Sequence, residues 1–213
     1  MNLSFPGKEV WYDWGGANEW LFQQINAIHG DTYDAAMILL SRIADRHNFP
    51  YYIGGLAVFA LLSFMVRKLA SQGGAYHILV AWVGVFLLLG AGFVANYVII
   101  GVMKDYFAYP RPYIALGNVR VLELRDASDN FHSFPSGHVA FITMMVVGLW
   151  PVLSKNMKWL GAAVIFGVCW SRIALGVHFP ADVVASFLIF LPLMVVVRAL
   201  IYWILLRLFG LRC

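Results

Sequence analysis

The sequence predicts an all-α membrane protein, a polytopic bundle of five to six transmembrane helices with amphipathic interfacial helices at its N-terminus. Composition is the first reason, because 62% of the 213 residues are hydrophobic and only 12% are charged, whereas soluble domains carry about 25% charged residues. Long apolar segments without the alternation of β-barrel strands are the second reason. The net charge of +4 is small and scattered. It favours cations that flank membrane helices over a nucleic-acid partner.

The first 49 residues form a separate N-terminal region. Apolar residues recur at helical spacing over 17–46, but charged residues such as Glu19, Asp31 and Arg42 are interleaved with them. This pattern favours two short amphipathic helices, broken near Gly30, that lie at the membrane interface. Three tryptophans suit that position: Trp11, Trp14 and Trp20.

Residues 50–213 form the predicted membrane domain. Its five apolar segments are 50–66, 78–103, 137–153, 159–177 and 181–206, and each is close to the roughly 20 residues that cross a bilayer as a helix. Alternating crossings place the 67–77 and 154–158 links on one side and the 104–135 loop on the other. Cations without acidic residues collect on the first side (Arg67, Lys68, Lys155, Lys158, Arg207 and Arg212). The positive-inside rule therefore predicts that the first side is cytoplasmic and the 104–135 loop is periplasmic or external.

Residues that can take part in catalysis or ligand binding collect at four helix ends on that second side. They are Lys104 and Arg111 after the second segment, Ser136, Gly137 and His138 at the start of the third, Arg172 and His178 at the end of the fourth, and Asp182 at the start of the fifth. Because the helices alternate in direction, these ends meet at one membrane surface. The sequence thus predicts one polar site there.

The cations of this group indicate an anionic ligand. Lys104 and Arg111 alone are equally consistent with side chains that snorkel at a helix end, but Arg172 lies inside an apolar run, where an ionisable residue marks function. Guanidinium groups suit phosphate oxygens. Ser136 and Gly137 are compatible with a simple helix cap. They also place free backbone N–H groups at a helix N-terminus, which favours phosphate.

The two histidines of the group suggest catalysis without a metal. His178 precedes Asp182 by four residues, so the carboxylate can hold one ring nitrogen and leave the other to attack. His138 is then available as a general acid, and the cations stabilise the transferring group. The remaining histidines are interpreted as structural: His29, His47, His77 and His132.

Together these residues resemble the type 2 phosphatidic acid phosphatase superfamily of integral membrane lipid phosphatases. Its motifs K-x6-RP, PSGH and SR-x5-H-x3-D match Lys104 with Arg111-Pro112, Pro135-Ser136-Gly137-His138, and Ser171-Arg172 with His178 and Asp182. The resemblance implies a phosphohistidine on His178, orientation of that ring by Asp182 and proton donation by His138. It also implies phosphate binding by Lys104, Arg111, Ser136, Gly137 and Arg172, with no cofactor.

Bacterial members of this superfamily imply a lipid phosphate or diphosphate substrate and an inner-membrane location. Undecaprenyl pyrophosphate, phosphatidylglycerol phosphate, phosphatidic acid and lipid A 1-phosphate are the substrates of such relatives. Three alternatives remain open at this point. They are a phosphotransferase that passes the phosphoryl group to another lipid, an oxidoreductase like the vanadium haloperoxidases that share the motifs, and a non-catalytic transporter or lipid-binding bundle.

Overall fold

A computed structural model describes residues 12–69, 75–123 and 127–209; predictions on Trp11 and Arg212 lie outside these residues. The described chain is helical, which confirms the all-α class. Its principal helices are α1 (Ala17–Asn26), α2 (Asp31–Ile43), α3 (Phe49–Leu69), α4 (Ala75–Phe107), α5 (Gly137–Leu149), α6 (Lys155–Ala174) and α7 (Pro180–Phe209). A single helical turn, Pro112–Ala115, follows α4.

Four helical stretches of the described residues are long and apolar enough to cross a membrane: Arg46–Leu69, His77–Ala115, Lys155–Ala174 and Pro180–Leu208. The predicted third segment, 137–153, is shorter as a helix, because α5 has 13 residues and ends before Pro151. At 1.5 Å per residue it is about 20 Å long. Residues 139–148 are all buried, among α4, α6 and α7. A helix enclosed by other helices does not need to match the bilayer thickness.

Glycines allow α5 to lie close to its neighbours. A Cβ atom on Gly92 of α4 would lie 2.6 Å from Cγ of Met144, and one on Gly148 of α5 would collide with the side chain of Leu89. Small residues at such contacts permit close approach of membrane helices, where dispersion forces replace the hydrophobic effect between helices. Glycines in α4 and α5 therefore allow α5 to occupy its central position in the bundle.

The predicted amphipathic region forms two helices, α1 and α2, with the break at residues 27–30. Both pack against α6, and α1 also contacts α7. Phe22 and Ile25 of α1 are buried, and the indole N–H of Trp170 donates a 2.8 Å hydrogen bond to the Tyr33 hydroxyl. The two helices thus cover the polar end of the bundle.

The segment after α4 is fastened between these helices and the end of α6. The Asn26 amide donates to the carbonyl of Arg120 at 2.8 Å, and the Arg120 guanidinium donates to Asp34 at 2.7 Å. Next along the chain, the Leu122 N–H donates to the carbonyl of Leu175 at 3.2 Å. These contacts fix the backbone just before Glu123.

Candidate active site

The polar ends of α4, α5 and α6 and the loops next to them surround a cavity of about 720 Å³. Ser136 and Asp182, two of the eight predicted site residues, are fully buried beside it. The structure therefore brings together all eight residues from positions 104–182. The other six line the cavity: Lys104, Arg111, Gly137, His138, Arg172 and His178.

His178 lies in the turn between α6 and α7 and is only 2% exposed. Its Nδ1 atom is 3.3 Å from Oδ2 of Asp182, in the first turn of α7. A carboxylate accepts hydrogen bonds, so this contact assigns the ring proton to Nδ1. Nε2 is then the nitrogen with a free lone pair.

The Asp182 carboxylate is held by further donors. The Tyr12 hydroxyl donates to Oδ1 at 2.8 Å, while the Ser133 hydroxyl and the Phe179 N–H donate to Oδ2 at 2.5 and 2.9 Å. Burial and the adjacent carboxylate raise the pKa of Tyr12 well above its ordinary value, so its hydroxyl remains a donor. Tyr12 and Ser133 were not predicted from the sequence.

The surroundings of His178 keep its ring neutral. Burial lowers the pKa of His178 well below its ordinary value, and the charges of Arg111, Arg172 and Lys104 lower it further. The nearby His138 also lowers the pKa of His178. A neutral imidazole in contact with a carboxylate can act as a nucleophile.

Asp129 joins two of the predicted phosphate-binding cations. Arg111 donates from Nη2 to Oδ2 of Asp129 at 2.5 Å and from Nε to its carbonyl at 2.9 Å. The Lys104 ammonium lies 3.7 Å from Oδ1 of the same carboxylate. Arg111 also donates from Nη1 to the carbonyl of Val177 at 2.8 Å, which ties it to the turn that carries His178. Asp129 was not predicted, because the loop sequence gives no sign of this pairing.

Arg172 is held by two residues that the sequence interpretation also missed. Its Nη1 donates to Oε2 of Glu123 at 2.8 Å and to the hydroxyl of Ser41. Arg172 is fully buried, and Ser41 comes from α2. The amphipathic N-terminal region thus contributes directly to the environment of a predicted site residue.

The start of α5 has the features of an anion site. The Ser136 side chain is buried, and within the described ranges its hydroxyl oxygen makes no hydrogen bond. A Cβ atom on Gly137 would meet only Ile100, at 3.7 Å. Packing therefore does not require a glycine at 137, whereas close approach of a ligand to the helix N-terminus would.

Two histidines interpreted as structural also line the cavity, at its outer part. Nε2 of His132 lies 3.3 Å from Oδ1 of Asp105. Nδ1 of His47 lies 2.7 Å from Oδ1 of Asp45. The sequence interpretation identified no acidic partner for His47, whereas in the structure Asp45, the N-cap of the same turn, is that partner.

A buried His–Asp pair and three cations around one polar cavity of a helical membrane bundle are suited to phosphoryl transfer. The profile of the PAP2 superfamily matches residues 84–207, more than half of the chain. The chain belongs to the PAP2 superfamily, as the motifs predicted, and is a phosphatase of that family.

Individual relatives agree with this assignment. An undecaprenyl-diphosphatase of Sulfolobus acidocaldarius is 28% identical over 174 residues, which cover 82% of this chain and 73% of the relative. The crystal structure of Aquifex aeolicus LpxE superposes with a TM-score of 0.64 and 23% identity, covering 85% of this chain and 94% of that one. A PAP2-type phosphatidylglycerolphosphate phosphatase from Bacillus subtilis gives a TM-score of 0.62 and 20% identity, covering 89% and 86%. The two structural likenesses concern the fold.

Proposed function

We propose that this protein hydrolyses a lipid phosphate or lipid diphosphate through a phosphohistidine on His178, without a metal. The observation that carries the proposal is the buried His178–Asp182 contact at 3.3 Å on the wall of a cavity that also contains Lys104, Arg111 and Arg172. It supplies a neutral nucleophile and positive charge in the same space. Those are the two requirements of phosphoryl transfer.

The first chemical step is attack of Nε2 of His178 on phosphorus. The N–P bond forms as the bond between phosphorus and the leaving oxygen breaks, and His138 gives that oxygen its proton. Asp182 balances the positive charge that develops on the phosphorylated ring. In the second step His138 takes a proton from water, which attacks phosphorus, breaks the N–P bond and releases inorganic phosphate.

The remaining site residues stabilise the charge on the transferring group. Lys104, Arg111 and Arg172 face the equatorial oxygens, and the Ser136 hydroxyl and the Gly137 N–H donate to them. The three cations are in place before the substrate arrives, because Asp129 and Glu123 hold them at 2.5–3.7 Å. Such preorganisation is the main source of catalysis in reactions of this kind.

The lipid part of the substrate remains in the bilayer. Tyr97, Val98 and Val102 of α4 line the cavity and are between 53% and 65% exposed on the outside of the bundle. A headgroup that enters beside them leaves its tail in contact with lipid. We therefore infer a membrane-embedded lipid phosphate or diphosphate as substrate, such as undecaprenyl diphosphate, phosphatidylglycerol phosphate, phosphatidic acid or lipid A 1-phosphate.

We further propose a bacterial inner-membrane location with the cavity on the periplasmic or outer side. Arg67 and Lys68 end α3, Lys155 begins α6 and Arg207 lies in the last turn of α7. These helix ends lie opposite the cavity, and the positive-inside rule makes their side cytoplasmic.

The direct test is phosphate release from a panel of purified lipid phosphates in detergent, followed by rapid quenching with a labelled substrate. We expect a label on the wild-type protein that is stable to base and labile to acid. His178→Ala should lose both label and turnover, whereas His29→Ala, outside the cavity-lining residues, should keep them. EDTA should leave turnover unchanged, because the cations of the chain supply the charge. Loss of activity on chelation would refute the metal-free mechanism, and label that appears on an acceptor lipid would identify a phosphotransferase.

A further inference from the structure

The cavity extends well beyond His178, to a short turn that precedes α3. This turn, Arg46–Asn48, contributes Arg46 and His47 to the cavity wall. The pocket therefore has an inner end with the His–Asp pair and an outer end with a further arginine. A volume of about 720 Å³ is typical of pockets that enclose a whole headgroup rather than one phosphate.

Arg46 differs from the other cations of the cavity in its ion pairing. Lys104 and Arg111 contact Asp129, and Arg172 contacts Glu123. Arg46, by contrast, forms no ion pair within residues 12–69, 75–123 and 127–209. The cavity thus has one guanidinium whose charge is not balanced by a described carboxylate.

The carboxylate next to Arg46 in sequence is engaged elsewhere. Oδ1 of Asp45 accepts from the backbone N–H of His47 at 2.9 Å and lies 2.7 Å from its ring. Arg46 instead lies over an aromatic face, with its guanidinium carbon 5.5 Å from the centroid of the Tyr97 ring. Stacking of this kind orients an arginine while leaving its N–H groups available in the ring plane.

The location of Arg46 suits a group that lies between the lipid tail and the reacting phosphate. Tyr97, beneath the guanidinium, is 65% exposed on the lipid side of α4. Arg46 also begins the first membrane-spanning stretch, at the level where headgroups meet the bilayer core. A substrate with its terminal phosphate at His178 and its tail beyond Tyr97 passes this arginine.

We propose that Arg46 binds a second, non-reacting phosphate on the lipid side of the phosphate that is cleaved. This inference rests on the proposed function and narrows its substrate class to lipids with two phosphate groups in series. Two sources share this chemistry: the inner phosphate of an isoprenoid diphosphate and the phosphodiester of phosphatidylglycerol phosphate. A guanidinium fork matches the oxygens of either.

The test compares two pairs of substrates that differ in the second phosphate. The first pair is farnesyl diphosphate and farnesyl monophosphate, and the second is phosphatidylglycerol phosphate and phosphatidic acid. In Arg46→Gln we expect kcat/KM to fall about 10- to 100-fold, the range of a lost charge-assisted hydrogen bond, for the two-phosphate member of at least one pair. For the one-phosphate members kcat/KM should change by less than about threefold, which is the effect expected from loss of an exposed charge. The pair that responds identifies the source.

Two further variants separate this subsite from a general effect of charge at the membrane surface. Arg42→Gln removes an exposed arginine of α2 that does not line the cavity, and it should leave all four rates unchanged. Arg46→Lys keeps the charge without the fork and should recover part of the loss. Equal losses for both members of both pairs, or equal losses in Arg42→Gln, would overturn the proposal. If the wild-type protein released phosphate from neither two-phosphate lipid, the subsite would be refuted, whereas the proposed function would fail only if the whole panel of lipid phosphates gave no release.

Discussion

Replacement of Asp182 with Asn removes the negative charge behind His178 while keeping the size of the side chain. The amide oxygen can still accept from Ser133 and Phe179, which now donate to Oδ2 at 2.5 and 2.9 Å. The amide nitrogen would then face the Tyr12 hydroxyl, which can turn to accept. We therefore expect a folded protein whose His178 keeps a hydrogen bond and loses its counter-charge.

The size of the effect follows from the distance between the two groups. In the proposed mechanism, attack on phosphorus makes the imidazole of His178 cationic, with Nδ1 3.3 Å from Oδ2 of Asp182. At an effective dielectric constant of about 20, two unit charges at this distance attract by about 5 kcal/mol. Since each 1.36 kcal/mol is tenfold in rate, Asp182→Asn should lower the rate of phosphorylation by roughly 10³- to 10⁴-fold.

Single-turnover phosphate release in detergent measures this step directly. Tyr12→Phe is the companion variant, because it removes one hydrogen bond to Oδ1 and leaves the carboxylate. Its loss should be about tenfold, the usual effect of one hydrogen bond to a charged group. Size-exclusion chromatography and circular dichroism check that both variants are folded. The loss of the charge should leave far less than about a tenth of wild-type activity. If folded Asp182→Asn kept more than that, the role assigned to the carboxylate would be wrong.

Two further predictions concern pH and the turn before His178. The pKa of His178 is lowered by burial and by nearby cations. Because the proposed mechanism uses the neutral ring, the acid limb of kcat/KM should lie below the ordinary histidine pKa of about 6.5. Lys104→Met removes one of these cations and should move that limb to higher pH; a limb that stays in place would contradict the electrostatic account. Gly176 has φ +80°, and a Cβ there would collide with the carbonyl of Arg120. Gly176→Ala should therefore cost at least about 1–2 kcal/mol and lower Tm by several degrees, whereas Gly54→Ala, where a Cβ meets open space, should have little effect on Tm.

The helical bundle and the location of the site follow from features that are local in sequence. Apolar segments of membrane length predict the helices, and their alternating direction brings 104–111, 136–138, 172–178 and 182 to one surface. Hydrophobic periodicity also predicts α1 and α2 and the break between them. The predicted segments and the helices differ by up to four residues at their ends. At α5 the helix ends before its predicted segment does, and the apolar length of that segment does not reveal that other helices enclose it.

The hydrogen-bond and ion-pair partners of the site residues, by contrast, do not follow from local sequence. Asp182 is held by Tyr12 and Ser133, 170 and 49 positions away, and Arg172 by Ser41 and Glu123, 131 and 49 positions away. Each of these partners is a common polar residue, and its neighbours in sequence do not indicate that it contacts the site. Such contacts depend on how α1, α2 and the loop before α5 fold over the end of the bundle.

The sequence by itself therefore determined the membrane class, the family and which residues gather at the candidate site, since motif spacing and helix direction are properties of the chain. Only the tertiary structure decided which side chains hold those residues in place and that Arg46 shares their cavity. The physical reason is that a hydrogen bond or ion pair between distant segments requires both to be positioned to within about an ångström. That precision comes from packing, which the spacing of residues along the chain does not determine.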